Sequence, residues 1–303
     1  IFVGLLAFSS TSYAENDPVA NPKAQVISGN ARFTVLTDRL IRMEWSENGK
    51  FEDNATLAII NRNLPVPAFT TARTGDGVQI RTGAVTLNYS GNGKFDKENL
   101  SVSFKLNGKT VIWHPGKEDT GNLMGTARTL DGCMGPDKIN NNDPMELGII
   151  SRDGWAVVDE SERHIFVKDD SDWGEWVEAR PEGDVQDLYI FAYGHDYTDA
   201  LADFTKVAGK IPLPPKYVFG YWWSRYWQYS DNELRDLVET MRSLDIPLDV
   251  LIIDMDWHET WGLRRTNAKK DEYGQRVGWT GYTWKEQLFP SPASFFEWCG
   301  TEN

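Results

Sequence analysis

Cysteine is scarce in this sequence. Its 303 residues include two, Cys133 and Cys299, set in regions that read as different domains, and no Cys-x-x-Cys pair occurs. Neither a disulfide framework nor a structural zinc site is expected, because the four histidines are scattered and offer no metal-ligand spacing. The run Asp169-Asp170-Ser171-Asp172 lacks the glycine and closing glutamate of an EF-hand loop and reads as a solvated turn. No metal or other cofactor is anticipated. Basic charge is also short: 31 Lys and Arg against 45 Asp and Glu leave a net charge of −14. That sign repels phosphates and argues against nucleic acid as a partner, while it suits a neutral ligand. The apolar run at residues 1–14 is too short to cross a bilayer as a helix, so no transmembrane segment is expected. The oligomeric state is not legible.

Aromatic bulk is what the chain has in quantity: 13 Trp, 11 Tyr and 14 Phe within an apolar content of 40%. A sizeable core is within reach. Residues 1–14, IFVGLLAFSSTSYA, close on Ser12-Tyr13-Ala14, a small-x-small cleavage pattern. Without an initiator Met or a basic lead, the stretch reads as a signal peptide truncated at its start, which implies export to the periplasm or the extracellular space. From about residue 24 to 194 the apolar positions alternate. Ile41, Met43 and Trp45 interleave with Arg42 and Glu44; Val85, Leu87 and Tyr89 interleave with Thr86 and Asn88; Asn107-Gly108 marks a hairpin turn. Short strands between turn-rich connections predict an N-terminal antiparallel β-sandwich over 15–209. The Gly- and Asn-rich segment 121–148 breaks the alternation and reads as a long loop, functional or disordered, whose polar residues Arg128, Asp131 and Asp143 could touch a ligand but each read better as partners in local turn hydrogen bonds.

Asp196 to Val207 has the spacing of a short amphipathic helix, capped by Asp196 and stopped by Gly209. The stiff KIPLPPKY follows and marks a junction, so a second domain is placed at 210–303. It opens with a strand-like run, Tyr217 to Trp223. Ser230 and Glu233 then form a capping box, and Leu234, Leu237, Val238 and Met241 lie at helical spacing. After Pro247, Asp249 to Ile253 reads as a strand buried on both faces, completing a right-handed βαβ unit. Asp254 and Asp256 sit where that strand ends, the place where sites form in α/β folds. Taken alone they suggest an acid and nucleophile pair. Side chains two apart on a strand point the same way, however, and would lie side by side, sharing a proton rather than flanking a bond. A long aromatic loop, 257–284, precedes a second helix that begins at Pro290-Ser291-Pro292 with Ser291 as cap.

The stretches PLPPKYVFGYWWSRYWQYSDNELRDLVETMRSLDIPLDVLIIDMDWH and GWTGYTWKEQLFPSPASFFEW resemble the opening of the catalytic barrel in glycoside hydrolase family 31, the α-glucosidase and α-xylosidase family. Upstream, LGIISRDGWAVVDES and YIFAYGHDYTDALADFTKVAGKIPLPPKY resemble the N-terminal domain of that family and its junction. The resemblance implies a multidomain β plus α/β architecture, a β-sandwich followed by the start of a (β/α)₈ TIM barrel. Such a barrel takes roughly 250 residues. With the junction near residue 210, the barrel is expected to be incomplete and the chain an N-terminal fragment.

The resemblance further implies a retaining α-glycosidase, most like an α-glucosidase, whose partners are oligosaccharide or α-glycoside substrates. Its aspartate nucleophile and acid/base are expected downstream of Asn303, so the fragment itself is expected to be inactive. At the matched positions Asp254 corresponds to an aspartate that grips sugar hydroxyls, Tyr226 to a tyrosine lining the same subsite, and Met255 to pocket wall. Trp257 and Trp279 join them as substrate-binding candidates. Asp256, His258, Arg128 and Asp131 rank behind, Asp256 and His258 reading better as loop braces. The motif here ends Asp-Met-Asp-Trp-His, where many α-glucosidases have a tyrosine and a methionine after the second aspartate. Specificity for α-xylose, α-galactose or α-N-acetylgalactosamine therefore stays open, as does a non-catalytic carbohydrate-binding protein on the same scaffold.

Overall fold

Alternating apolar residues build two five-stranded antiparallel sheets in the first part of the chain. One has the order β1 (Gln25–Ser28), β2 (Ala31–Val35), β3 (Leu40–Ser46), β12 (Val185–Phe191), β9 (Ala156–Asp159). The other is a meander of β4 (Thr70–Thr74), β5 (Gly77–Arg81), β6 (Val85–Tyr89), β7 (Leu100–Leu106) and β8 (Lys109–Trp113). The computed structural model describes residues 16–91, 93–125, 145–168, 174–277 and 281–302. It divides into two compact units between Ile211 and Pro212.

The inner faces of the two sheets share one core in a sandwich-like arrangement. Phe33, Ile41, Met43 and Ile190 from one sheet join Val78, Ile80, Leu87 and Val102 from the other. Asn107 and Gly108 both take positive φ, 51° and 78°, in the turn that sets Leu106 opposite Lys109. The alternation in β3 suggests one wet face, but every residue from Leu40 to Ser46 is buried. Its second face lies beneath other chain and carries an ion network. Arg32 binds Glu44 at 2.7 Å and 2.9 Å, and Arg42 binds Asp187 at 2.8 Å and 2.7 Å in a two-pronged pair. Arg180 reaches the same carboxylate at 2.7 Å. Arg42 also donates to the carbonyl of Glu52, and Arg62 to the carbonyls of Pro18 and Asn54, so buried cations pin the covering backbone. Arg42 in particular holds Asp187 well below the usual carboxylate range against the pull of burial. Glu44 goes up, because for it burial outweighs the arginines.

Helix α1 (Tyr197–Ala208) ends at Gly209, with φ 86°, as its sequence suggests. Asp196 makes no capping bond; its carboxylate binds Arg39 at 2.6 Å instead, an ion pair that outcompetes a backbone amide.

The second unit is a small α/β layer. β13 (Trp222–Trp223) and β14 (Val250–Leu251) pair in parallel, with α2 (Asp231–Ser243) as their crossover. The capping box is present in full: Ser230 accepts from the Glu233 amide, and Glu233 accepts from the Ser230 amide. Leu234, Val238 and Met241 are its buried stripe, and Leu234 packs with Phe289 and with Phe295 of α3 (Pro292–Thr301). Two expectations need correction. Lys216–Phe219 is a 3₁₀ turn, so the strand covers only the end of the Tyr217–Trp223 run. Val250 to Ile253 is half-buried rather than enclosed on both faces, since a two-stranded sheet does not cover its own surfaces. Among the described residues no helix is long and apolar enough to cross a membrane.

Candidate functional site

The end of β14 is built from both strands. Gly220 lets the backbone come close at its base: a Cβ there would lie 2.2 Å from the Asp249 carboxyl carbon, and that carboxylate accepts from the Tyr221 amide at 2.8 Å. The Ile252 amide donates to the Trp223 carbonyl at 2.9 Å, and Gln228 bridges Met255 in parallel. Asp254 therefore emerges at the carboxyl end of the parallel pair. It is exposed, and the Ser224 hydroxyl lies 3.5 Å from its Oδ2.

The residues that follow turn inward. Met255 is 6% exposed and Asp256 4%, and Asp256 takes φ 64°, a left-handed backbone that aspartate tolerates better than most residues. The two carboxylates thus part company, one to solvent and one into the protein, where a regular strand would have kept them parallel. Trp257 is half-buried, with its ring centroid 4.9 Å from that of Trp284. His258 is 5% exposed; its Nδ1 donates to the Thr283 carbonyl at 3.1 Å, and its ring lies so close to Gly281 that a Cβ there would be 1.9 Å from Cε1. Tyr226 is 64% exposed, on the segment between β13 and α2. Asp254, Tyr226 and Met255 are all carried by the β13 and β14 ends; His258 and Asp256 serve the interior. Trp279, Arg128, Asp131, Asp143 and Cys133 lie outside the described residues, as does the Asp169–Asp172 run.

Residues 211–302 match the model of the glycosyl hydrolases family 31 TIM-barrel domain. The α-xylosidase of Saccharolobus solfataricus is 27% identical over 213 residues, 67% of this chain and 26% of that protein. α-Glucosidase 2 of Bacillus thermoamyloliquefaciens is 41% identical over 76 residues, 25% of this chain and 10% of that protein. The family 31 match thus covers the second unit, residues 211–302. In fold, this chain is similar to a crystal structure of a GH31 α-xylosidase from a soil metagenome complexed with xylose, at TM-score 0.53 and 11% identity, over 91% of this chain and 44% of that one. It thus spans about a quarter of the length of the curated α-xylosidase it matches.

Two features of the second unit escaped sequence reasoning. Lys285 is 1% exposed, although in the sequence Glu286 and Gln287 follow it directly and nothing marks it as buried. The other is a groove of about 790 Å³ between α2, β14 and α3, lined by Val238, Ile246, Val250, Phe295, Trp298 and Cys299. Neither Asp254 nor Tyr226 lines it. Burial pushes the Cys299 thiol up, which keeps it protonated and unreactive.

Proposed function

We propose that the whole protein is an exported retaining α-glycosidase that removes terminal α-linked glucose or xylose from non-reducing ends. The observation that carries this reading is the exposed Asp254 at the carboxyl end of β14, within residues that match the family 31 barrel domain. A carboxylate there can accept hydrogen bonds from two adjacent sugar hydroxyls, and Tyr226, exposed on the segment that follows β13, offers an amphipathic ring. The names of the matched relatives, an α-xylosidase and an α-glucosidase, support the sugar class. Export rests on the apolar stretch 1–14 and its small-x-small close. The family resemblance implies that the attacking carboxylate and the acid/base lie on later barrel strands, and Asp254 and Asp256, one exposed and one buried, are not read as that pair.

The test is hydrolysis of a panel of aryl α-glycosides by the full-length gene product and by residues 1–303 alone. The full-length protein should turn over the α-glucoside or α-xyloside; the 303-residue chain should turn over none. In the full-length protein Asp254→Ala should cost roughly 3–5 kcal/mol in kcat/KM, the worth of two bonds to a charged acceptor. That loss should shrink on deoxy analogues lacking the gripped hydroxyls. An equal loss on every analogue would remove Asp254 from the hydroxyl-binding role, and turnover by the 303-residue chain would place the catalytic carboxylates within it.

A further inference from the structure

Lys285 is almost wholly buried, which is costly for an ammonium group unless it neutralises something. Its surroundings explain the placement. The backbone amide of Lys285 donates to the Trp257 carbonyl at 2.8 Å, and its Nζ donates to the Trp261 carbonyl. The Glu259 amide donates to the Thr283 carbonyl at 3.0 Å, and His258 bridges Trp284. Residues 281–285 thus run antiparallel to 257–261 and fasten that turn. The Lys285 carbonyl in turn accepts from the amides of Leu288 and Phe289, and the Leu288 carbonyl accepts from the first amide of α2. One residue ties the turn after Asp254 to the core of the second unit.

The charges agree with this geometry. Burial lowers the pKa of Lys285, while the carboxylates of Asp256 and Glu259 act in the opposite direction and favour its charged form. Asp256 is itself buried, at a left-handed φ, two residues beyond Asp254. A buried carboxylate in the turn and the buried ammonium that reaches it from residue 285 attract each other, and loss of either leaves a charge in a poor medium. An apolar side chain of similar length would fill the same space but leave the turn without its cationic donor.

We propose that Lys285 is a positioning residue: bound to the Trp261 carbonyl beside Asp256, its ammonium fixes the 255–261 turn and thereby the height at which Asp254 meets a sugar hydroxyl. This rests on the sugar-binding reading of Asp254. The residue touches no substrate and acts through the turn.

The experiment measures dissociation constants by calorimetry on the full-length protein. The probes are D-glucose, D-xylose and their singly deoxygenated analogues, tested against the parent and the variants Lys285→Met and Lys285→Arg. Lys285→Met should weaken the parent sugar about tenfold, a middling value for coupled charged neighbours. It should change binding of the analogue lacking the gripped hydroxyl by less than about twofold, and Lys285→Arg should recover most of the loss. An equal loss on sugar and analogue, or no loss at all, overturns the proposal and leaves Lys285 a packing residue. If Lys285→Met unfolds, Asp256→Asn combined with it should restore folding by removing both charges; a double variant as disrupted as the single one also overturns the proposal. Binding without hydrolysis would sink the glycosidase reading while leaving this one standing. No sugar binding by the parent would sink both.

Discussion

Two carboxylates, one in each unit, meet opposite fates. In the first, Arg42 and Asp187 are each 1% exposed, and three guanidinium contacts hold one carboxylate. In the second, Asp254 stands exposed with a serine hydroxyl at 3.5 Å. Both carboxylates come from strands with hydrophobic neighbours. What separates them is cover: β3 and β12 sit in a five-stranded sheet buried on both faces, whereas β14 has a single strand partner. A carboxylate sealed among arginines is committed to the fold. One left at an uncovered strand end keeps its lone pairs for a ligand. Aromatic rings differ by cover as well: Phe33, Tyr89 and Phe95 in the first unit and Phe289 and Phe295 in the second pack ring to ring, whereas Tyr226 and Trp227 are more than half exposed.

The sharpest test of this contrast is to cut the chain between the units. Residues 16–211 should unfold in one cooperative transition, because their sheets share a closed core. Residues 212–303 should aggregate or melt without cooperativity, as two parallel strands leave their edges unpaired. Circular dichroism melting and sedimentation would decide it, and a cooperative monomeric 212–303 would refute the account of the second unit.

A smaller effect compares the carboxylates directly. Asp187→Asn should destabilise the first unit by about 3–5 kcal/mol in chemical denaturation, because Arg42 and Arg180 are left in the interior without their anion. Asp254→Asn should shift stability by no more than about 0.5 kcal/mol. Equal costs would erase the distinction between a structural and an available carboxylate.

The pH dependence follows from the same group. The native pKa of Asp187 lies below its unfolded value, so its contribution is complete above the ordinary aspartate pKa and falls as pH drops through the native one. Stability of the first unit should therefore decline below about pH 4. Asp187→Asn should flatten that decline. If the acid limb of the denaturation curves is unchanged in the variant, another carboxylate carries it.

The smallest effect concerns α2. Ser230→Ala removes the hydroxyl that accepts from the Glu233 amide, at a cost of about 1 kcal/mol. Hydrogen exchange should accelerate in the first turn of α2 and leave β1 to β3 untouched. Faster exchange in both units would mean that they unfold as one.

Much of this was readable from the sequence because it depends on near neighbours. The Ser230–Glu233 box, the Asn107-Gly108 turn, the Gly209 stop and the period-two strands are decided within a few residues, where backbone sterics and short hydrogen bonds dominate. The position of Asp254 after a β-rich run was also local. The strand ends were less so: Tyr217 to Phe219 has strand composition but curls into a 3₁₀ turn, and Asp196 looks like a cap but pairs with Arg39, 157 residues away in sequence.

The sequence alone determined which segments alternate, where the helices start, and that the second part resembles a family 31 barrel. Only the tertiary structure decided what those polar positions do. Arg42 and Glu44 read as a wet face until chain from elsewhere covers them. Asp254 and Asp256 read as a pair until a positive φ turns one inward. Lys285 reads as an incidental charge until it is found beneath the turn. In each case the deciding quantity is exposure to water, which is set by what packs on top from distant sequence and therefore leaves no local pattern to read.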